Sequence, residues 1–140
     1  MTLSTSLDSV NWSTPVFYLY KEGSFYYLSG KISKHIEYAT VNPDISVSIF
    51  KNDSDWSGLK GVQMSGVQDK VGNLLTAAKV LKDYINEFPF TKDLFNINEL
   101  LKLSHKKISL YVFKPNKIIY TDNSIEFGFK QEIDPGISNN

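Results

Sequence analysis

The stretch Ser29-Gly30-Lys31-Ile32-Ser33-Lys34-His35 gathers two hydroxyls on strand and helix ends, two ammonium groups and an imidazole. It leaves a strand pattern and enters a helix pattern. The first N–H groups of a helix have no partner inside it, so such a segment can cradle a phosphate. The competing reading is an ordinary capped helix with solvated lysines. A second feature is aromatic. Phe17-Tyr18-Leu19-Tyr20 and Phe25-Tyr26-Tyr27 could wall a flat ring system, or fill a barrel core through cross-strand pairing.

Composition narrows the chemistry. The 140 residues contain no Cys, which removes disulfides, thiolate nucleophiles and thiolate metal sites. Two His without Cys are too few for a dedicated metal centre, and no metal is expected. His105 sits in the charged run His105-Lys106-Lys107 and reads as solvated. All 15 basic residues are Lys, balanced by 15 acidic ones. Bidentate guanidinium recognition is therefore absent, and an anion must be met by Lys point charges, N–H groups and hydroxyls. Zero net charge argues against nucleic acid as a partner. Gly-rich nucleotide motifs, His-Glu-x-x-His and Gly-x-Ser-x-Gly do not occur. Asp53-Ser54-Asp55 is too short a cluster to argue for a cation site.

These residues need a scaffold, and the patterning predicts a mainly β, α+β domain over residues 1–133 with a loose tail over 134–140. Strands are expected near Thr2–Ser6, over Pro15–Tyr20 and over Ser24–Ser29, the last two forming a hairpin around Lys21-Glu22-Gly23. Ser33 should cap a helix through Val41 with Ile36 and Ala39 buried, ended by Asn42-Pro43. Ile45–Phe50 and Lys60–Lys70 alternate as half-buried strands, with Gly61 and Gly66 as bends or bulges. Val71, Leu74, Leu75, Ala78, Leu81, Ile85 and Phe88 recur at helical spacing. Thr91–Leu103 reads as one or two short helical pieces. Ile108–Phe113 and Lys117–Thr121 are expected to form a second hairpin turning at Pro115-Asn116, followed by a strand over Ile125–Phe129. No apolar run approaches the roughly 20 residues that span a bilayer, and the N-terminus lacks a signal-peptide pattern. A cytoplasmic protein without membrane contact is expected.

The order of these pieces resembles the pyridoxamine 5′-phosphate oxidase-like family of FMN-binding split barrels, most closely a small bacterial branch called YhbP-like. Trp12-Ser13-Thr14-Pro15-Val16-Phe17-Tyr18 with Phe25-Tyr26-Tyr27-Leu28-Ser29 is similar to the family's opening hairpin. Ser33-Lys34-His35 resembles its phosphate-side turn, and Lys60–Gly66 its central strand. Ile118–Asn123 with Phe127-Gly128-Phe129-Lys130 is similar to the C-terminal hairpin of that branch.

The resemblance implies a six-stranded antiparallel split β-barrel with a few flanking helices, forming a homodimer with FMN at its interface. By position, Val16, Phe17 and Tyr18 would pass the isoalloxazine or ribityl chain. Ser29, Ser33 and Lys34 would hold the phosphate, and Gln63 would approach from the central strand of either subunit. The implied activity is an oxidoreductase acting on an unidentified small-molecule redox substrate. The alternative is a non-catalytic dimeric binding protein for a flavin, a haem or another planar ligand. The residues that handle pyridoxine in true oxidases have no counterpart here.

Overall fold

The computed structural model describes residues 1–103 and 105–136. Its elements are β1 (Thr2–Leu7), β2 (Val10–Pro15), β3 (Leu19–Lys21), β4 (Ser24–Gly30), α1 (Lys34–Val41), β5 (Asp44–Lys51), β6 (Lys60–Lys70), α2 (Leu74–Glu87), α3 (Thr91–Leu94), α4 (Ile97–Leu101), β7 (Ile108–Asp122) and β8 (Lys130–Ile133). Of the expected tail, Asp134–Gly136 follows β8 as a turn, and residues 137–140 lie outside the described residues.

All eight strands join one antiparallel sheet in the order β2-β1-β5-β6-β7-β4-β3, with β8 added to β7. The sheet is not closed, and its strand count is eight rather than the six expected. α1 packs on β1 and β2, and His35 reaches Ser29 on β4. The helix thus spans the split between the two ends of the sheet.

Two apolar clusters sit on opposite faces of β4 and β7. Phe25, Tyr27, Tyr111 and Phe113 face inward with Leu3, Val47, Met64 and Ile36. Leu110 and Val112 face α2 and α4, where they meet Ala77, Val80, Leu81 and Leu100. A strand covered on both sides needs apolar residues at consecutive positions, which is why Ile108–Phe113 reads as a continuous apolar run.

The structure departs from the sequence expectations at several points. First, Pro15–Tyr20 is not one strand. β2 ends at Pro15 on one edge of the sheet, β3 begins at Leu19 on the other, and Val16–Tyr18 crosses between them. Second, β1 and β2 form a hairpin through Asp8-Ser9, which sequence reasoning did not anticipate. Both residues take positive φ (49° and 65°), the twist a two-residue hairpin turn requires.

Third, Pro115-Asn116 is not a turn. β7 runs through it for 15 residues, and the missing proline N–H falls where the register shifts between Ser65 and Gly66 of β6. Fourth, Ile125–Phe129 is a loop, and β8 starts at Lys130. Buried Asp122 holds that loop back by accepting from the Ser124 N–H (2.9 Å) and hydroxyl (2.5 Å). The main helix also begins later than Val71, at Leu74, because the Asn73 side chain accepts from the Thr76 N–H and caps it.

Candidate functional site

The crossing segment Val16–Tyr18 is fixed from both sides. The Val16 N–H donates to the Met1 carbonyl (2.9 Å), and the Tyr84 hydroxyl of α2 donates to the Phe17 carbonyl (3.2 Å). Burial pushes the Tyr84 phenol up to about 12, so it remains a donor across the working pH range. Lys21 and Asp83 pair at 2.5 Å and tie β3 to the same helix.

The Phe17 ring packs against both Phe88 (5.3 Å) and Phe90 (5.0 Å), which also meet each other at 6.0 Å, all within the range of favourable aromatic contacts. Proline at 89 ends the helix so that its last aromatic and the next one both reach Phe17. Beside this cluster opens a cleft of about 540 Å³, lined by Met1, Thr2, Pro15, Val16, Phe17, Tyr18, Phe88 and the Ser48-Ile49-Phe50 stretch of β5; the Met1 α-ammonium donates to the Val16 carbonyl at 3.1 Å. That volume suits a small-molecule ligand. No Asp, Glu, His or Lys side chain lines it. Phe17 and Phe50 remain 61% and 62% exposed on its walls, which leaves the cleft open on one side.

The outer sheet face continues the cleft in a different chemistry. Register places Ser13 opposite Ser4, Ser4 opposite Ser46, Ser46 opposite Ser65, and Ser65 opposite Lys117. One cross-strand row thus carries four hydroxyls and ends in an ammonium. The next row sets Ser48 opposite Gln63. Ser4, Ser46, Ser48, Gln63, Ser65 and Lys117, together with Val47, Met64 and Ile119, line a groove of about 300 Å³. Ser48 belongs to both cleft and groove. Lys117 meets Glu132 at 3.6 Å with both side chains over half exposed, a pairing worth little and easily exchanged.

Of the residues singled out from sequence, Val16, Phe17 and Tyr18 come together in the cleft, and Gln63 lies in the groove that adjoins it. Ser29, Ser33 and Lys34 line neither. Ser29 faces the barrel interior, where its hydroxyl meets His35 Nε2 at 2.8 Å. Ser33 occupies the cap position of α1 without a side-chain cap bond. The Lys34 ammonium lies 4.2 Å over the Trp12 ring and 5.4 Å from that of Tyr38. Trp12 pairs with inward-facing Thr5, so this cluster is on the face of β1–β2 opposite the groove.

The histidines also stand apart from the cleft. His35 is buried, and desolvation pulls its imidazole below the usual range. His105 Nδ1 accepts from the N–H groups of Lys107 and Ile108, which fixes the proton on Nε2.

Sequence reasoning missed Ser4, Ser46, Ser48, Ser65, Lys117, Phe50 and Phe88. Ser46 and Ser48 carried a signal, as the polar half of an alternating strand. Their alignment with Ser4, Ser65 and Lys117 depends on register between distant strands, which local patterning does not contain.

No family model matches the chain, and no curated protein matches it by sequence. Solved structures share its fold. A heme-binding protein from Mycobacterium smegmatis aligns with TM-score 0.75 at 14% identity, over 96% of this chain and 52% of that one. The chain therefore spans about half the length of that relative. A candidate pyridoxamine 5′-phosphate oxidase from Listeria innocua aligns at 0.66 with 16% identity, over 85% of each chain. An FAD-binding protein from Mesorhizobium loti aligns at 0.62 with 18% identity, over 84% of this chain and 80% of that one. These likenesses define the class of fold: a split β-barrel, mainly antiparallel β with a few helices. Among the described residues, no helix is long and apolar enough to cross a membrane.

Proposed function

We propose that this protein is an FMN-binding flavoprotein of the YhbP-like kind, working as a homodimer in oxidation or reduction of a small molecule. The observation that carries the reading is the continuity of two unlike surfaces through Ser48. An aromatic cleft lined by no charged side chain suits a planar ring system, and a groove that gathers hydroxyls and ends in Lys117 suits a polyhydroxyl chain with a terminal phosphate. Val16, Phe17, Tyr18 and Phe88 would wall the ring. Ser48 and Gln63 would meet the ribityl chain, and Ser46, Ser65 and Lys117 the phosphate. With no Arg in the chain, Lys117 acts as a point charge supplemented by hydroxyl donors.

A bound flavin would supply the hydride or electron transfer. The protein's share is placement: an aromatic wall for the ring and hydroxyl donors for the tail. The haem alternative draws less support, because neither imidazole lines the cleft.

A second reading has its own observation. The cleft presents no carboxylate, imidazole or ammonium side chain that could serve as a general acid or base, which favours a binding protein without turnover.

The test is a visible spectrum of the protein after incubation with excess FMN and gel filtration. About one flavin retained per chain is expected, falling at least tenfold in Phe17→Ala. Absence of retained flavin, with no rise in Tm when FMN is added, overturns the reading. Reduction of the retained flavin by NAD(P)H separates the enzyme from the binding protein.

A further inference from the structure

The sequence pattern marks Gly61 as a bend or bulge, yet the strand register runs through it unbroken. Gly61 lies opposite Phe50 on β5 and opposite Thr121 on β7. A Cβ at this position would stand 2.6 Å from the Ile49 carbonyl oxygen and 2.9 Å from Phe50 Cβ, so a larger residue would have to push β5 aside. Around the missing side chain lies a depression of about 280 Å³, ringed by Phe50, Leu59, Gln63 and Thr121. It meets the cleft at Ser48, Ile49 and Phe50, and the groove at Ser48 and Gln63. Leu59, Gly61 and Thr121 belong to neither of those two surfaces.

The chemistry of this side pocket is its own. No charged side chain lines it. Lys60, the neighbour of Gly61, turns to the opposite face of β6 and pairs with Asp122 at 3.0 Å. The charges that share its rows of the sheet are Lys130, opposite Thr121, and Glu132, opposite Ile119, both on β8 and outside the lining. Phe50 and Leu59 are exposed and give the pocket an apolar rim. That rim is anchored, because the N–H of buried Asn123 donates to the Leu59 carbonyl at 3.0 Å and fastens it to the end of β7.

One polar atom in the wall is unsatisfied. The Thr121 hydroxyl oxygen is shielded from water and has no hydrogen-bond partner among the described residues. A buried hydroxyl without a partner is costly, and an acceptor that reaches it removes the cost. A step of one staggered well about χ1 redirects the hydroxyl, so Thr121 can turn toward a molecule seated over Gly61.

We infer that the pocket over Gly61 is a separate ligand site for a small uncharged molecule with an apolar body and a carbonyl-type acceptor. Phe50 and Leu59 cover the body, and the Thr121 hydroxyl donates to the acceptor. A carboxylate or phosphate would lose water there with no cation in the lining to replace it. Beside a ring in the cleft, such a molecule is the small-molecule partner of the proposed oxidation or reduction; that role, unlike the site itself, rests on the flavin reading.

An NMR titration that follows backbone amides, on protein without flavin, tests the site with acetophenone as the neutral carbonyl probe. Saturable shifts are expected at Leu59, Gly61, Gln63 and Thr121, and benzoate should bind about tenfold or more weakly. Thr121→Val should raise the acetophenone Kd about twofold to tenfold, the worth of one neutral hydrogen bond, and leave that of ethylbenzene, which has no acceptor, unchanged. The Tm of the variant should not fall, since the hydroxyl has no partner to lose. Were the variant to fold poorly, the shift map and the benzoate comparison on the wild type decide alone. Shifts confined to Val16–Tyr18, no saturable shift, benzoate bound as tightly as acetophenone, or a folded Thr121→Val that binds acetophenone unchanged overturns the inference. Acetophenone seated over Gly61 in a protein that retains no FMN removes the proposed function and keeps this site. Retained FMN without acetophenone binding does the reverse.

Discussion

Ser29 Oγ and His35 Nε2 lie 2.8 Å apart, and through this pair α1 is fastened to β4 across the split in the sheet. The imidazole is 5% exposed, and burial lowers its pKa in the folded protein. Below the ordinary histidine value of about 6.5, the unfolded chain therefore binds more protons than the folded one. This contribution to stability is complete above about pH 6.5 and is lost as pH falls toward the lowered folded value. Urea midpoints measured at pH 7.5 and pH 5.5 should show a drop at the lower pH. His35→Gln, which keeps a hydrogen-bonding group but does not titrate, should be flatter over that interval. An equal drop in the variant would assign the acid sensitivity elsewhere.

Within the barrel, the fully buried Tyr27 hydroxyl donates to the side-chain oxygen of Gln68, and Tyr27 stacks on Tyr111 with ring centres 5.8 Å apart. Burial holds the Tyr27 phenol far above its ordinary range, so it serves as a permanent donor. Tyr27→Phe leaves the buried Gln68 amide short of a partner and should cost about 1–3 kcal/mol. Adding Gln68→Met removes the stranded group, and the double variant should recover part of that loss. Denaturant unfolding of the two single variants and the double variant gives the coupling. Strict additivity would mean that the pair contributes nothing.

Local patterning reached the elements whose periodicity is set by one buried face. Ile45–Phe50, Lys60–Lys70 and the helix containing Leu81 and Ile85 all stand within a few residues of their expected bounds. It failed where tertiary partners override a local breaker. Pro115 looked like a turn but is tolerated in β7 because Gly66 opposite it permits a close approach. The site divides in the same way. Val16–Tyr18 was visible because aromatic residues cluster in sequence. The row through Ser4, Ser46, Ser65 and Lys117 exists only once four strands are in register. Ser33-Lys34 drew attention as a hydroxyl beside a cation, yet the lysine is placed on Trp12.

Gly66 offers a direct test of the bulge. A Cβ there would stand 2.2 Å from the Lys114 carbonyl oxygen and 2.7 Å from Pro115 Cα, both backbone atoms that cannot swing aside. Gly66→Ala should destabilise by about 1–3 kcal/mol, the range for forcing volume into a packed site. Gly72 has nothing within 4 Å of the same added atom. Gly72→Ala should stay within about 0.5 kcal/mol of the parent. Thermal unfolding of both variants checks the contrast, and an unaffected Gly66→Ala would mean that β6 and β7 do not pack as closely as described.

Two lysines compete for the phosphate of the proposed flavin: Lys34, which the resemblance implies, and Lys117, which sequence reasoning did not single out. Lys34 is held over Trp12 at 4.2 Å on one face of the β1–β2 hairpin, whereas Lys117 ends the hydroxyl row in the groove that shares Ser48 with the cleft. If the groove takes the phosphate, Lys117→Ala removes a charged hydrogen-bond donor worth about 1.5–3 kcal/mol. That corresponds to a rise in the FMN Kd of about tenfold to a hundredfold. Lys34→Ala should leave the Kd within about threefold and instead lower stability by about 0.5–1 kcal/mol through the lost cation–ring contact. Fluorescence titration with FMN, and with riboflavin as the phosphate-free control, distinguishes the lysines. Lys117→Ala should weaken FMN and leave riboflavin unchanged. The reverse pattern, with Lys34→Ala weakening FMN alone, would return the phosphate to the turn before α1 and leave the serine row without a role in binding.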